Sequence, residues 1–185
     1  MITLTNDLLL YSQLDDKSLN FEKVDLEKEL KNILDDLQKT IVDNEAEVKI
    51  DKLPQMSCDT VQIRQLFQNL ISNSLKYRKP NITPKIQIGF EDKRSAYQFF
   101  VKDNGIGISK EYHQKVFEVF KRLHSNEEYQ GTGIGLANCK RIVDNHQGKI
   151  WLQSTPGKGA IFYFSIKKNL KPLNRHEENK LHSVS

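Results

Sequence analysis

Residues 131–146 read GTGIGLANCKRIVDNH, and residues 103–108 read DNGIGI. Each stretch wraps an isoleucine in glycines. Three readings are open: an internal repeat, two ordinary turns, or two jaws of one site. The flanks argue against a repeat, because Asp103 and Asn104 precede the first isoleucine whereas Gly131 and Thr132 open the second set. Ala137-Asn138-Cys139-Lys140 then continue in helical style. Backbone N–H groups at a helix start form a ready phosphate site, so the second stretch is a candidate for one. It is not a P-loop, since G-x-x-x-x-G-K-[ST] occurs nowhere in the chain, and no dinucleotide fold surrounds its G-x-G-x-x. The first stretch follows a strand-like run, which puts Asp103 at a strand end. A carboxylate there can accept from an exocyclic amine, and Gly105 and Gly107 let the backbone approach a ligand. Taken alone, Asp-Asn-Gly is an ordinary turn.

Outward from these stretches, apolar periodicity sets the order of elements. Leu4, Leu8 and Tyr11 predict a helix over 1–15. FEKVD at 21–25 predicts a short strand, and Asp25 an N-cap for a helix reaching Ile41 or Val42. EVKI reads as a strand and KLPQMSCD as a turn with another short strand. Asp59 caps the most regular helix, about 60–78, whose stripe is Ile63, Leu66, Phe67, Leu70, Ile71, Ser74 and Leu75. KIQIGFE and YQFFVKD predict a hairpin, residues 110–119 a short helix, and 133–146 a further helix. KIWLQST, the turn PGKG and AIFYFSIKK predict a final hairpin. The chain beyond 168 reads as disordered. Helices grouped with hairpins give an α+β class: a two-layer sandwich with one mixed, mainly antiparallel sheet and helices on one face.

The polar side of helix 60–78 is amide-rich. Gln65, Asn69, Ser72, Asn73 and Lys76 lie near one another at helical spacing, although Asn is a poor helix former. An Asn oxygen suits Mg²⁺, which binds through few protein groups. A plain solvated face explains the same residues equally well on their own.

The bulk numbers bound the rest. A chain of 185 residues fits one domain with appendages. No apolar run reaches the roughly 20 residues of a membrane helix, and MITLTNDLLLYSQLDD lacks the features of a signal peptide. Cys58 and Cys139 lie far apart, which argues against zinc and suits a reducing, cytoplasmic compartment. The net charge of +4 comes partly from the tail and is poor support for a nucleic-acid partner, so none is expected.

In combination the motifs are specific. QLFQNLISNSLKY, DNGIGI, VFEVFKRLH and GTGIGLANCKRIVDNHQGKIWLQSTPGKGAIFYFSI resemble, in order, the N, G1, F and G2 boxes of sensor histidine kinases. These belong to the catalytic ATP-binding domain shared more broadly with gyrase, Hsp90 and MutL. FKRLHSNEEYQGTGIGLA looks like the kinases behind PAS and phytochrome-type sensors. The resemblance implies a Bergerat-type fold and a domain over 21–168. Residues 1–20 would be the end of a second dimerisation helix with its linker, and 169–185 a disordered tail.

Position by position, the resemblance implies ATP and Mg²⁺ as ligands. Asn73 is similar to the metal ligand, Lys76 to a phosphate contact, and Tyr77 to the aromatic residue against the nucleoside. Asp103 resembles the acid that takes the adenine amine, with Gly105, Gly107 and Ile108 beside it. Phe117 and Phe120 look like the F-box aromatics, and Arg122 like a basic residue that can reach the terminal phosphates. Gly131, Thr132, Gly133, Gly135 and Leu136 resemble the phosphate-side loop, with 108–132 as a lid. Asn69 stands where hydrolytic relatives resemble one another in having Glu. An amide cannot take a proton from water, which suits transfer to a neutral imidazole. Asn69, Lys76 and Arg122 are therefore the expected catalytic set.

The resemblance also implies a homodimeric parent, a response regulator downstream, and an acceptor histidine on a dimerisation domain. No His-acid acceptor motif occurs here: His113, His124, His146, His176 and His182 lie in or after the ATP domain. His124 adjoins the F box in a lid-like pattern. The chain is thus expected to be a piece of a longer kinase that cannot phosphorylate itself. The alternatives are an anti-sigma-type serine kinase, which Asn69 counts against, and a silent nucleotide-sensing module.

Overall fold

The computed structural model describes residues 19–121 and 132–170. The expected helix over 1–15 and the tail beyond 170 lie outside these residues. In chain order the elements are β1 (Phe21–Asp25), α1 (Leu26–Asp36), α2 (Gln38–Asp43), β2 (Glu47–Ile50), β3 (Gln55–Asp59) and α3 (Thr60–Lys76). β4 (Lys85–Asp92), β5 (Ala96–Asp103), α4 (Gly135–Asn145), β6 (Ile150–Ser154) and β7 (Ala160–Lys167) follow. No described helix is long and apolar enough to cross a membrane.

The expected caps hold. Asp25 accepts from the N–H groups of Glu27 and Lys28 at 3.1 and 3.2 Å. Asp59 accepts from Gln62 N–H at 3.0 Å. Three boundaries differ from expectation. The helix expected to run to residue 41 or 42 breaks at Leu37, where φ is −93° and ψ 1°. Asp35 and Asp36 sit at its carboxyl end with no basic residue in the last turn, so their charges oppose the helix dipole. The short helix expected near 110–119 is two 3₁₀ turns, Lys110–Tyr112 and Lys115–Phe117, neither with a side-chain cap. The last helix starts at Gly135 rather than at Gly133, whose φ of 75° is non-helical.

β1 and β3 pair antiparallel as a separate ribbon. The main sheet has the order β2-β4-β5-β7-β6, with only β2 and β4 parallel. Ile88, Val101 and Phe162 share one face in register, as do Phe99 and Phe164, and all are buried. Phe67 of α3 meets this face, edge-on to Phe99 at 6.0 Å and to Phe164 at 5.3 Å. Phe99 and Phe164 stack at 5.1 Å. The architecture is the expected two-layer α+β sandwich. On the opposite face Phe100, Tyr163 and Trp151 form one cross-strand row with Gly89. A Cβ on Gly89 would come within 2.6 Å of the Phe100 ring.

Alternation along β5 decides where the chemistry sits. Residues 99, 101 and 103 share a face, so the Asp103 carboxylate lies on the helix side at the strand's end. α3 brings Asn69, Asn73 and Lys76 to that same interlayer.

Candidate active site

Asp103 is held by backbone. Its Oδ1 accepts from Gly105 N–H at 2.8 Å and from Ala160 N–H at 3.1 Å. Burial pushes its carboxyl above the usual range, opposed by those two N–H groups, by Ser74 Oγ and by the Lys79 charge. The glycines are there because backbone lies against backbone. A Cβ on Gly105 would sit 2.4 Å from Tyr77 O, and one on Gly107 2.1 Å from Thr155 O. Gly107 also has φ of 74°, which a side chain rarely adopts. Ile106 N–H bonds Tyr77 O at 3.0 Å, which ties the loop to the end of α3. Ile108 N–H bonds Ser154 Oγ at 2.8 Å, and its side chain packs against the core.

The other end of the interlayer is the start of α4. Ile134 stands at the N-cap and offers no side-chain cap, so the first N–H groups have no capping partner from it. Asn69 reaches this point from α3: its Nδ2 donates to Gly135 O at 3.3 Å. Gly133 O accepts from Phe120 N–H at 3.1 Å, with Thr132 half-buried beside it and Leu136 packed against the core. The two F-box aromatics part company. Phe117 turns inward, edge-on to Phe162 at 6.4 Å. Phe120 is 58% exposed with φ of 61°, a strained conformation for an aromatic residue.

Between the two ends, Asn73 is half-buried, and its side chain makes no hydrogen bond among the described residues. Lys76 Nζ lies over the Tyr77 ring at 4.6 Å, a cation–π rest position. Among the described residues no cluster of three His, Cys, Asp or Glu could hold a metal. A metal here would rest on amide oxygen and on the phosphates themselves, which is the habit of Mg²⁺. Arg122, His124 and Gly131 lie outside the described residues. The structure thus ties Asn69 of α3 to Gly135 at the start of α4, and Tyr77, with Lys76 over its ring, to the loop that holds Asp103.

The family follows from comparison at this point. A profile described as histidine kinase-, DNA gyrase B-, and HSP90-like ATPase matches residues 58–170. The chain belongs to that ATPase family. Its sequence is 41% identical over 166 residues to phytochrome-like protein Cph1 of Synechocystis, covering 90% of this chain and 22% of that protein. It is 43% identical over 166 residues to cyanobacterial phytochrome A of Nostoc, with the same coverage. The chain therefore spans about a fifth of the length of these relatives. The catalytic domain of histidine kinase ThkA superposes with a TM-score of 0.70 at 27% identity, over 80% of this chain and 96% of that one. This ATPase domain is of the ATP-binding catalytic type found in sensor histidine kinases.

Sequence reasoning missed three parts of the site. The β6–β7 turn, read only as a turn, braces the Asp103 loop. Ser154 Oγ donates to Gly159 O at 2.6 Å, and Gly157 N–H donates to Ile106 O at 2.7 Å. A Cβ on Gly159 would lie 2.1 Å from Asp103 O. The glycine pair in PGKG was the available signal. Asn104 joins the loop after α3 to β4, accepting from Lys85 N–H at 2.8 Å and donating to Thr83 O at 3.0 Å. Ser74 was assigned to the apolar stripe, yet its hydroxyl donates to Leu70 O at 3.0 Å and counters the upward push of burial on the Asp103 carboxyl.

Proposed function

We propose that this domain binds Mg·ATP between α3 and the two glycine loops. It then passes the γ-phosphoryl group to a histidine on a dimerisation domain of a longer protein. The observation that carries the reading is the inward-facing Asp103, fixed by Gly105 and Ala160 N–H. α3, whose carboxyl end meets the Asp103 loop, also reaches the side-chain-uncapped start of α4 through Asn69. A purine amine fits the first, and phosphates fit the second.

The side chains take these roles. Asp103 accepts from the adenine amine, with Gly105, Gly107 and Ile108 forming the wall beside it. Tyr77 lies against the nucleoside. Thr132, Gly133, Gly135 and Leu136 surround the phosphates, joined by Gly131. Lys76 leaves the Tyr77 ring to meet phosphate charge, and Arg122 adds a second cation. Asn73, whose amide is uncommitted among the described residues, supplies the oxygen for Mg²⁺. The metal, when bound, neutralises charge on the transferring phosphate. Asn69 tethers its nitrogen to Gly135 O and cannot deprotonate water. That property protects ATP from hydrolysis while leaving transfer to a neutral imidazole open.

In the parent, we place the catalytic domain at 21–168, preceded by a dimerisation helix and linker at 1–20 and followed by a tail. β1 starting at Phe21 and β7 ending at Lys167 support those limits. A homodimeric, cytoplasmic kinase region feeding a response regulator fits this assignment. The test supplies the parent's acceptor helix hairpin in trans with γ-labelled ATP and Mg²⁺. Acid-labile label on its histidine is the expected outcome. Label on a serine, or no uptake of ATP, overturns the proposal.

A further inference from the structure

β6 closes the main sheet, and among the described residues no strand lies beyond it. A sheet edge is a template for a further strand unless charge, proline or a bulge guards it. The opposite edge, β2, is guarded by Glu47 and Lys49. β6 reads IWLQS, with neither charge nor proline, and its pairing with β7 runs unbroken from Ile150 to Ser154 without a bulge. Ser165 N–H donates to Lys149 O at 2.8 Å. Antiparallel bonding alternates, so Trp151 and Gln153 also bond toward β7, whereas Ile150 and Leu152 turn their N–H and C=O groups outward. The open face beside this edge is aromatic. Trp151 stacks on Tyr163 at 5.4 Å and 11°, and Phe100 follows at 6.5 Å. All three are half-buried. The charges around them are one-sided. Toward β2 the lysines are neutralised, Lys85 by Glu47 at 2.9 Å and Lys49 by Asp51 at 3.6 Å. Along β5, β7 and β6 the register puts Lys102, Lys167 and Lys149 on the aromatic face, with no acid among the residues that share it there.

We propose that this edge and face form a docking strip for an extended acidic segment of a partner protein, which adds to β6 as a further strand. Its backbone bonds the outward groups of Ile150 and Leu152. Its apolar side chains lie on Trp151, and its carboxylates meet Lys149 and the neighbouring lysines. In such strand addition the main-chain bonds supply affinity and the alternate side chains supply specificity. β6 of a second copy offers no acid, so an acidic segment is the better match to the unbalanced lysines. The strip lies on the sheet face away from Phe67 and α3, so it stands independently of the nucleotide reading.

Trp151 is the one tryptophan of the chain, so its emission reports on this face alone. The test titrates the full chain with a short acetylated peptide of alternating glutamate and valine, and with the same peptide carrying lysine for glutamate. The glutamate peptide is expected to give a saturable shift of Trp151 emission that weakens as salt rises. It is also expected to slow hydrogen exchange at the Ile150 and Leu152 amides. Lys149→Glu changes an exposed residue, and is expected to lower the peptide affinity by roughly three- to tenfold with ATP binding unchanged. No response to the glutamate peptide, an equal response to the lysine peptide, or undiminished affinity in Lys149→Glu overturns the proposal. Unslowed exchange at Ile150 and Leu152 overturns it too, because the peptide then does not pair with the edge. An equal response to polyuridylate makes the face a general polyanion surface, and a Trp151 shift on raising protein concentration alone assigns the edge to a second copy; either result overturns the proposal.

Discussion

His146 Nε2 accepts the backbone N–H of Asp59 at 3.1 Å, so the end of α4 holds the residue that caps α3. The other ring nitrogen, Nδ1, donates to Ile142 O at 2.7 Å, which fixes the neutral tautomer. The ring is fully buried and meets Phe21 edge-on at 5.6 Å. Burial lowers its pKa below 6.5, opposed by Ile142 O and by the Asp59 charge. The unfolded chain therefore binds a proton first as pH falls. Stability is intact above about pH 6.5 and declines below it. His146→Leu should cost about 1–3 kcal/mol at neutral pH by orphaning the Asp59 N–H, and should flatten that pH dependence. Urea unfolding midpoints from neutral to mildly acidic pH check both.

Asp103 has the opposite history. Burial raises its pKa above 3.8, so its charge costs folding stability at neutral pH. That cost is relieved as pH falls through its raised value toward 3.8. On the proposed reading, adenine needs the ionised form. ATP affinity is expected to fall with pH earlier than an ordinary carboxylate would dictate. Asp103→Asn should weaken ATP, remove this dependence and leave the fold intact. Calorimetry across the acidic range decides it, and an unchanged affinity refutes the adenine role.

Asn73 is tested by its metal. Asn73→Ala should lower affinity for Mg·ATP by at least about tenfold, the value of one bond to a charged group. Metal-free ATP should suffer much less. Equal losses in the two titrations remove Asn73 as the ligand.

Two glycines with nearly equal φ separate strain from collision. Gly107 has φ of 74° and Gly157 77°. A Cβ at 107 meets Thr155 O at 2.1 Å, whereas one at 157 meets nothing within 4 Å. Gly157→Ala should cost only about 1–2 kcal/mol of conformational strain. Gly107→Ala should cost clearly more and should also displace the loop that holds Asp103. Chemical denaturation with parallel ATP titration distinguishes the pair.

Asn138 carries a buried Oδ1 with no hydrogen-bond partner among the described residues. Replacing it with Leu removes the unmet group and adds apolar contact. The variant is expected to gain about 1–2 kcal/mol, read as a higher urea midpoint at unchanged ATP affinity.

Much of this was legible from residue patterns because the signals were local. The Asp25 and Asp59 caps, both hairpins and the stripe of α3 each follow from spacing within one segment. The break at Leu37 was not legible, since the apolar pattern runs through it and only the balance of charge against the helix dipole ends α1. Residues 110–117 carry helix-like composition but fold as two 3₁₀ turns, with only Val116 of the second one buried. The site split the same way. Asn69, Asn73 and Lys76 stood out because an amide-rich helix face departs from a local rule, whereas Asp103, an ordinary turn residue taken alone, was singled out by the family resemblance. Ser154, Asn104 and Ser74 did not, because each acts through a contact made only by the folded chain. Ser154 bonds Ile108 across 46 positions, and no window of sequence contains that relation.

The brace between the Asp103 loop and the β6–β7 turn has a consequence for biosynthesis. Ala160 N–H is one of the two donors that orient Asp103, and Ala160 opens the last strand of the domain. A nascent chain still held in the ribosome tunnel at that point has its α3 amides but no finished floor beneath the base. If Asp103 reads the base as proposed, ATP is expected to engage only after the final hairpin has emerged, so the nucleotide would certify completed chains rather than seed them.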